Sequence, residues 1–350
     1  MAKKEIKSRI DQRPPTMADV AEKVGVSRQL VGLVFRDAPG VGPETEAKIR
    51  AAAKELGYRP NLAAQSLRRE GSKYIGVVFH ATETSTYEII PAIYQQAAEQ
   101  GFQVVLSAIS SDRTDLEAID EVIGHRCDGL ILIASTLSLT RLQKLARTIP
   151  LVSLGRRLST VRCGVVSSRG ESGVFDAVEY LIKLGHKSIA YVNAKDMLDI
   201  EYRLEGYESA MDKHHLKKTI VSIVGDFAEP GGANAADKIL ALDQLPTAIV
   251  CNNDQSAFGL VYRLQKAGLR VPEDISVVGY DDTIAKQEFL NLTTVRQDPD
   301  ELARAAVEDL AARIKGDKYL SETFLTSSEL VVRTSTCQPR NESDLNWKAL

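Results

Sequence analysis

The 350-residue chain is poor in the residues that build disulfide frameworks and metal centres. Its four cysteines, Cys127, Cys163, Cys251 and Cys337, are scattered without paired spacing, which excludes a zinc ribbon or redox motif and implies reduced thiols. Five histidines stand in unrelated settings. His214 and His215 are adjacent rather than a helical turn apart, so no metal-ligand pattern forms. No G-x-G-x-x-G or P-loop opens a helix, and the glycine-rich "EPGGAN" carries little meaning alone. An apolar run of the roughly 20 residues that cross a bilayer is absent, and "MAKKEIKSRI" has positive charge but no apolar segment behind it. These absences argue against an enzyme, a metalloprotein, a cofactor carrier and a membrane protein, and they place the expected site of action in the cytoplasm.

What is present is segregated charge. Residues 1–70 carry 14 Lys and Arg against 9 Asp and Glu, a net +5, while the remaining 280 carry 30 against 38, a net −8. A basic head on an acidic body points to a polyanionic partner for the head alone.

The head reads as short helices. Thr16 with Asp19 three residues later forms a capping-box pattern ahead of "MADVAEKV", where Met17, Val20, Ala21 and Val24 share a face. Gly25 permits a tight turn and Ser27 can cap a second helix. A third helix runs from about Glu44 to Leu56 and stops at Gly57. Two short helices about a glycine turn, with a third behind, match a helix-turn-helix, whose second helix presents its N-terminal side chains to the major groove. Arg28 can bond guanine N7 and O6 together, and Gln29 can bond adenine N7 and N6. A helical wheel puts Val34 and Phe35 near Val31 and sends Gln29, Gly32, Leu33 and Arg36 to the far side. A leucine there is misplaced for a core but suited to cover a thymine methyl.

After Gly71 the texture becomes strand-helix alternation. Strands are expected at "YIGVVF", "FQVVLSAI", "DGLILIAS", "PLVSL", "SIAYV", "TIVSIVG", "TAIVC" and "ISVVGY", with amphipathic helices between them. Continuous apolar strands separated by helices indicate parallel sheets covered on both faces, and two such runs imply two α/β lobes.

"TMADVAEKVGVSRQLV" and "GVGPETEAKIRAAAKELGYRPNLAAQSLR" resemble the LacI/GalR family of bacterial transcriptional regulators, a likeness running from about Thr16 to Thr336. It implies a small all-α helix-turn-helix domain followed by two periplasmic-binding-protein-like α/β lobes. The expected boundaries are 1–58 for the DNA-binding domain, 59–73 for a hinge helix, 74–336 for an effector-binding core and 337–350 for a tail. Within the core, one lobe takes about 74–160 and 295–322, and the other about 161–294 and 323–336. The DNA-facing set is then Thr16, Ser27, Arg28, Gln29, Leu33 and Arg36. By position the resemblance makes Leu67 a minor-groove wedge, with Asn61, Ala64 and Gln65 along the same groove. The sequence departs from the family at Gly32 and Leu33, where Ser-Arg is usual, so the common operator consensus does not carry over. It departs again in "CGVVSSRGESG", which lacks an aspartate often found ahead of that helix.

Ligands of open parallel sheets collect beyond the carboxyl ends of the strands. His80, Arg156, Asp226, Phe227, Asn252, Asn253, Asp254, Asp281 and Asp282 follow strands, and Arg203 lies downstream of another. Asp254 either contacts ligand or caps the next helix, Asp282 reads as a turn residue, and Phe227 either stacks on a ligand or belongs to the core. "RLEGY", "NNDQSAFG" and "VPEDISVVGYDD" resemble the family's effector motifs and favour Arg203, Asn253 and Asp281. The effector set is therefore His80, Arg156, Arg203, Phe227, Asn253, Asp254 and Asp281. The implied function is a repressor of double-stranded operator DNA, acting as a homodimer and controlled by a small polar effector, most obviously a sugar. Induction and co-repression both stay open. The alternatives are a ligand-independent regulator with a vestigial cleft, or a solute-binding protein, which lacks reason for a basic head and needs an export signal.

Overall fold

The computed structural model describes residues 13–36, 38–59, 71–158, 160–194, 201–223, 228–317 and 323–341. It comprises two units, divided between Ser72 and Lys73.

The first unit is helical. Helix α1 (Met17–Val24) starts where Asp19 accepts from the Thr16 amide at 2.7 Å and the Thr16 hydroxyl at 2.6 Å. The Arg13 guanidinium grips the same carboxylate at 2.8 and 2.9 Å and holds its pKa far below the usual range, despite burial. Gly25 takes φ 77°, a left-handed conformation open to glycine, and its N–H closes on Ala21 O. Helix α2 (Arg28–Val34) follows, with Ser27 Oγ accepting the Leu30 N–H at 3.1 Å. Helix α3 (Pro43–Leu56) begins on a proline, which fits a first turn that needs no donor, and ends at left-handed Gly57. Val20, Val31, Val34 and Ile49 meet as the buried core. Each contributes about 1.5–3 kcal/mol by leaving water.

The second unit is the pair of lobes. In chain order come β1 (Tyr74–His80), α4 (Thr86–Glu99), β2 (Gln103–Ile109), α5 (Asp115–Gly124), β3 (Gly129–Ile133), α6 (Leu139–Ala146), β4 (Leu151–Leu154) and β5 (Gly164–Ser168). The chain then enters the other lobe with α7 (Gly170–Lys183), β6 (Ile189–Ala194), α8 (Glu201–Lys213), β7 (Thr219–Ile223), α9 (Glu229–Leu240), β8 (Ala248–Cys251), α10 (Asp254–Lys266), β9 (Ser276–Asp281) and β10 (Thr293–Gln297). It returns for α11 (Pro299–Lys315) and β11 (Thr323–Thr326), and crosses a third time to β12 (Ser328–Val331).

The first sheet has the order β11-β5-β4-β3-β1-β2, all parallel. The second has β12-β10-β9-β8-β6-β7, parallel except for the antiparallel β10–β12 edge. Val77 pairs with Ile131 and Val152 with Ile131 across the first sheet, giving the buried rows on which α4 and α11 lie. In the second lobe α9 and α10 cover one face and α7 and α8 the other. The α9–α10 contact is glycine-mediated. A Cβ on Gly232 would fall 1.9 Å from Ser256 O, and one on Gly259 1.9 Å from Glu229 O. This reciprocal approach gives "EPGGAN" a packing role.

The crossings lie at Ser168–Gly170, Gln297–Pro299 and Thr326–Ser328, later than the expected 160, 294 and 322. "GVVSS" and "TFLT" are short strands that complete the first sheet instead of opening the second lobe. The first and third passages are tied directly, Arg169 N donating to Thr326 O at 2.9 Å and Ser328 Oγ to Arg169 O at 2.9 Å, and Gln297 at the second pairs with Ser328. Within the segment expected as a tail, Arg340 donates to Asp274 O at 2.6 Å and to Leu245 O at 3.1 Å of the second lobe. No described helix is long and apolar enough to cross a membrane.

Candidate functional site

On α2 the side chains of Arg28 and Gln29 are exposed, as are Ser27 and Thr16, and Leu33 is half-buried one turn beyond Gln29. Gly32 differs from expectation. It is buried, because the Arg36 side chain folds back one turn; a Cβ on Gly32 would meet Arg36 Nη1 at 3.5 Å. Long helical side chains lean toward the N-terminus, and a glycine four residues earlier leaves room for the guanidinium on the helix surface. The face offers a carboxamide, two guanidinium groups and one apolar side chain, which suits base edges and phosphates. Asn61, Ala64, Gln65 and Leu67 lie outside the described residues.

In the second unit a cleft open to solvent lies between the lobes. The first lobe supplies an apolar wall of Ile89, Ile133, Leu154 and Leu302 and a polar rim of Glu83, Thr84 and Ser85. The second supplies Arg203, Asn252, Asn253, Gln255 and Asp281, and Gln297 arrives at the end of β10. A smaller recess beside it shares Arg203 and Gln297 and adds Ser167, Gly170 and Tyr202.

Arg203 and Asp281 come together as expected. Arg203 Nη2 stands 3.7 Å from Asp281 Oδ1, Nη1 donates to Asn252 O at 2.5 Å, and the guanidinium lies over the Tyr280 ring at 3.7 Å from its centroid. Gln297 Nε2 donates to Asp281 Oδ1 at 2.6 Å. Asp281 and Asp282 both adopt positive φ, 110° and 59°, where non-glycine residues are strained. Asp282 is more than a turn residue. It is buried and takes ion pairs from Arg296 at 2.7 Å and Arg333 at 2.6 Å, which pin the strained corner presenting Asp281.

Asn253, not Asp254, caps α10, its Oδ1 accepting from Ser256 N at 2.7 Å. Asp254 turns beneath the cavity. It accepts from Thr294 Oγ1 at 2.6 Å and Thr283 N at 2.9 Å, and burial, reinforced by the Asp281 charge, pushes its pKa up to about 8. Arg156 also misses the cavity. Its buried Nη1 donates to Ser135 O at 3.0 Å and Leu137 O at 2.6 Å, so it ties two loops of its own lobe while neighbouring Gly155 reaches the ligand space. His80 ends β1 half-buried and is not among the lining residues. Phe227 lies outside the described residues. The spacing argument missed Glu83, Thr84, Gln255 and Gln297; Gln297 ends a strand and was legible by the same strand-end rule.

The lobes also touch directly. Thr84 N donates to Gln255 Oε1 at 3.1 Å, Gln255 Nε2 donates to Thr82 O at 3.2 Å, the Thr84 and Thr283 hydroxyls are 3.1 Å apart, and Lys286 pairs with Glu88.

Comparison with known proteins agrees with this arrangement. Residues 16–61 match the model of bacterial regulatory proteins of the lacI family, and residues 178–336 match that of the periplasmic binding protein-like domain. The probable HTH-type transcriptional repressor ExuR of Bacillus subtilis (strain 168) is 31% identical over 330 residues, covering 91% of this chain and 98% of the relative. The chain belongs to the lacI family. It is a DNA-binding transcriptional repressor of that family. The HTH-type transcriptional repressor PurR of Histophilus somni (strain 129Pt) is 32% identical over 327 residues, with the same coverage. A crystal structure of the lac repressor dimer bound to operator and the anti-inducer ONPF superposes with TM-score 0.80 at 30% identity, covering 93% of this chain and 100% of that one.

Proposed function

We propose that this lacI-family repressor binds operator DNA as a homodimer and that a small polar effector, sugar-like in chemistry, sets its affinity from the interlobe cleft. The observation that carries the reading is the Arg203–Asp281–Gln297 cluster facing an apolar wall across a solvent-open cavity. Polyhydroxy ligands need paired donors and acceptors on one side and can lay C–H groups on the other. A ligand bridging both walls biases the angle between lobes, and DNA affinity then changes by the effector's preference for one conformation. Arg28, Gln29 and Leu33 read bases, Thr16, Ser27 and Arg36 hold the backbone, and Leu67 with Asn61, Ala64 and Gln65 enters the minor groove.

Selection of bound DNA from a random pool, with and without sugars, tests this reading. A two-fold symmetric consensus whose enrichment responds to one ligand is the expected result. The direct bonds between Thr84, Gln255 and Thr283 favour a second reading, a regulator whose cleft is held closed without ligand. An unchanged melting temperature across the whole sugar panel supports that alternative.

A further inference from the structure

We propose that Arg157 latches the two lobes together beside Arg203, so that opening the cleft and loosening the helix that carries Arg203 are one event. Arg157 follows β4 in the first lobe, and its side chain is 13% exposed. A single nitrogen, Nη2, makes bonds in both lobes. It donates to Ser168 O at 2.7 Å, at the end of β5 in its own lobe, and to Glu171 Oε2 at 2.6 Å, in the first turn of α7 in the other. The flat face of the same guanidinium lies over the Tyr202 ring of α8, 4.0 Å from its centroid. The Ser168 carbonyl thus anchors the group at home, while its edge and its face both reach across.

The two partners across the boundary move as one body. A Cβ on Gly206 of α8 would fall 2.2 Å from Glu171 O, so α7 and α8 meet backbone to backbone without slack. Tyr202 immediately precedes Arg203, and both line the recess. A guanidinium that fixes the Tyr202 ring therefore fixes the first turn of α8, from which Arg203 extends. Rotation of the second lobe about the crossing at Ser168–Gly170 leaves the Ser168 bond intact. It has to stretch the Glu171 bond or draw the Tyr202 ring from beneath the guanidinium. Only a planar cation serves both directions at once, since an ammonium is a point charge with no face to stack. The latch can also let go. Arg157 Nε is buried with no hydrogen-bond partner among the described residues, a cost that water relieves when the lobes part. The latch acts whatever the cleft binds; its consequence for Arg203 rests on the effector reading.

Native-state hydrogen exchange of the ligand-free full chain tests the latch. The reporter is the Thr84 amide, which donates to Gln255 Oε1 across the cleft at 3.1 Å and loses that acceptor when the lobes part. Tyr202→Phe keeps the ring and is expected to exchange as wild type does. Arg157→Lys keeps the charge but not the stack, and Tyr202→Leu keeps the cation but not the ring. Both are expected to speed exchange at Thr84 and in the first turn of α8 by about tenfold. Faster exchange confined to α8, with Thr84 unchanged, makes Arg157 a local support and overturns the proposal. Wild-type exchange in Arg157→Lys overturns it as well, because a bare ion pair with Glu171 then suffices. Should Tyr202→Leu fail to fold, the contrast between Arg157→Lys and Tyr202→Phe decides alone. No ligand enters the measurement, so a failed latch and a failed effector reading are told apart.

Discussion

Gln255 holds Thr84 across the cleft. The carboxamide sits at the start of α10 in one lobe, accepts the Thr84 amide N–H at 3.1 Å, and donates to Thr82 O at 3.2 Å in the other. A single side chain thus satisfies a backbone donor and a backbone acceptor of the β1–α4 loop. Both contacts form only when the lobes approach.

Gln255→Ala removes both bonds. At about 1 kcal/mol each, their loss shifts the lobe equilibrium toward the open form by roughly thirtyfold. Small-angle scattering of the ligand-free protein is expected to show a larger radius of gyration than wild type. An unchanged radius means that the crossings and the remaining contacts, among them Thr84 with Thr283 and Lys286 with Glu88, hold the lobes without Gln255.

Asp254 makes stability fall as pH rises from its unfolded pKa of 3.8 to its folded pKa of about 8. Its folded pKa of about 8 lies above the unfolded value of 3.8, so between these limits the native state holds a proton that the unfolded chain has released. Stability from this group is complete below the unfolded value and is lost as pH rises through about 8. Asp254→Asn keeps an acceptor for Thr283 N, and its amide N–H can donate to Thr294 Oγ1 in place of the bond the carboxylate accepts, but it cannot ionise. Melting curves from pH 5 to 9 are expected to show the variant gaining on wild type as pH rises. A constant difference across that range removes the claim.

Glycine at 259 is required by contact. A methyl group there meets Glu229 O at 1.9 Å, backbone that cannot swing aside, so Gly259→Ala is expected to cost roughly 3 kcal/mol or more. Gly124 is the control: it is helical and exposed, with nothing within 4 Å of a built Cβ. Gly124→Ala is expected to stabilise by about 0.5–1 kcal/mol. Thermal melts of the two variants should move in opposite directions.

Much of this was legible in one sequence, for reasons that differ by element. Long apolar strands such as "YIGVVF" and "ISVVGY" are buried on both faces, so their pattern survives any tertiary context. The caps at Thr16 and Ser27 and the left-handed Gly25 and Gly57 are local chemistry, visible in four or five residues. "GVVSS" and "TFLT" were not legible as partners, because they are four or five residues long and pair across some 150 residues of intervening chain. Strand ends located the cavity but not side-chain direction. Arg156 and Asp254 follow strands as Asp281 does, yet Arg156 spends its guanidinium on backbone carbonyls of its own lobe and Asp254 is buried on Thr283 and Thr294, and only packing decides between those outcomes. Gly32 was misplaced for a related reason, since a wheel treats glycine as a small exposed residue and takes no account of the arginine that covers it.

The DNA face separates into two measurable contributions. Leu33 stands among polar groups with its side chain half-exposed, and its proposed partner is a thymine methyl, a contact insensitive to salt. Leu33→Ala should therefore relax preference at one base pair, by about 1–3 kcal/mol, and leave the salt slope of binding unchanged. Arg36 lies back over Gly32 with its charge on the same helix surface, where its proposed partner is a phosphate. Arg36→Gln should weaken binding to all sequences alike and lower the slope of log K against log salt by about 1. Titrations of both variants against the selected operator and a scrambled duplex, between 50 and 200 mM salt, distinguish the roles. Loss of sequence preference in Arg36→Gln, with the slope intact, means that the guanidinium reaches a base edge in place of the arginine missing at position 33.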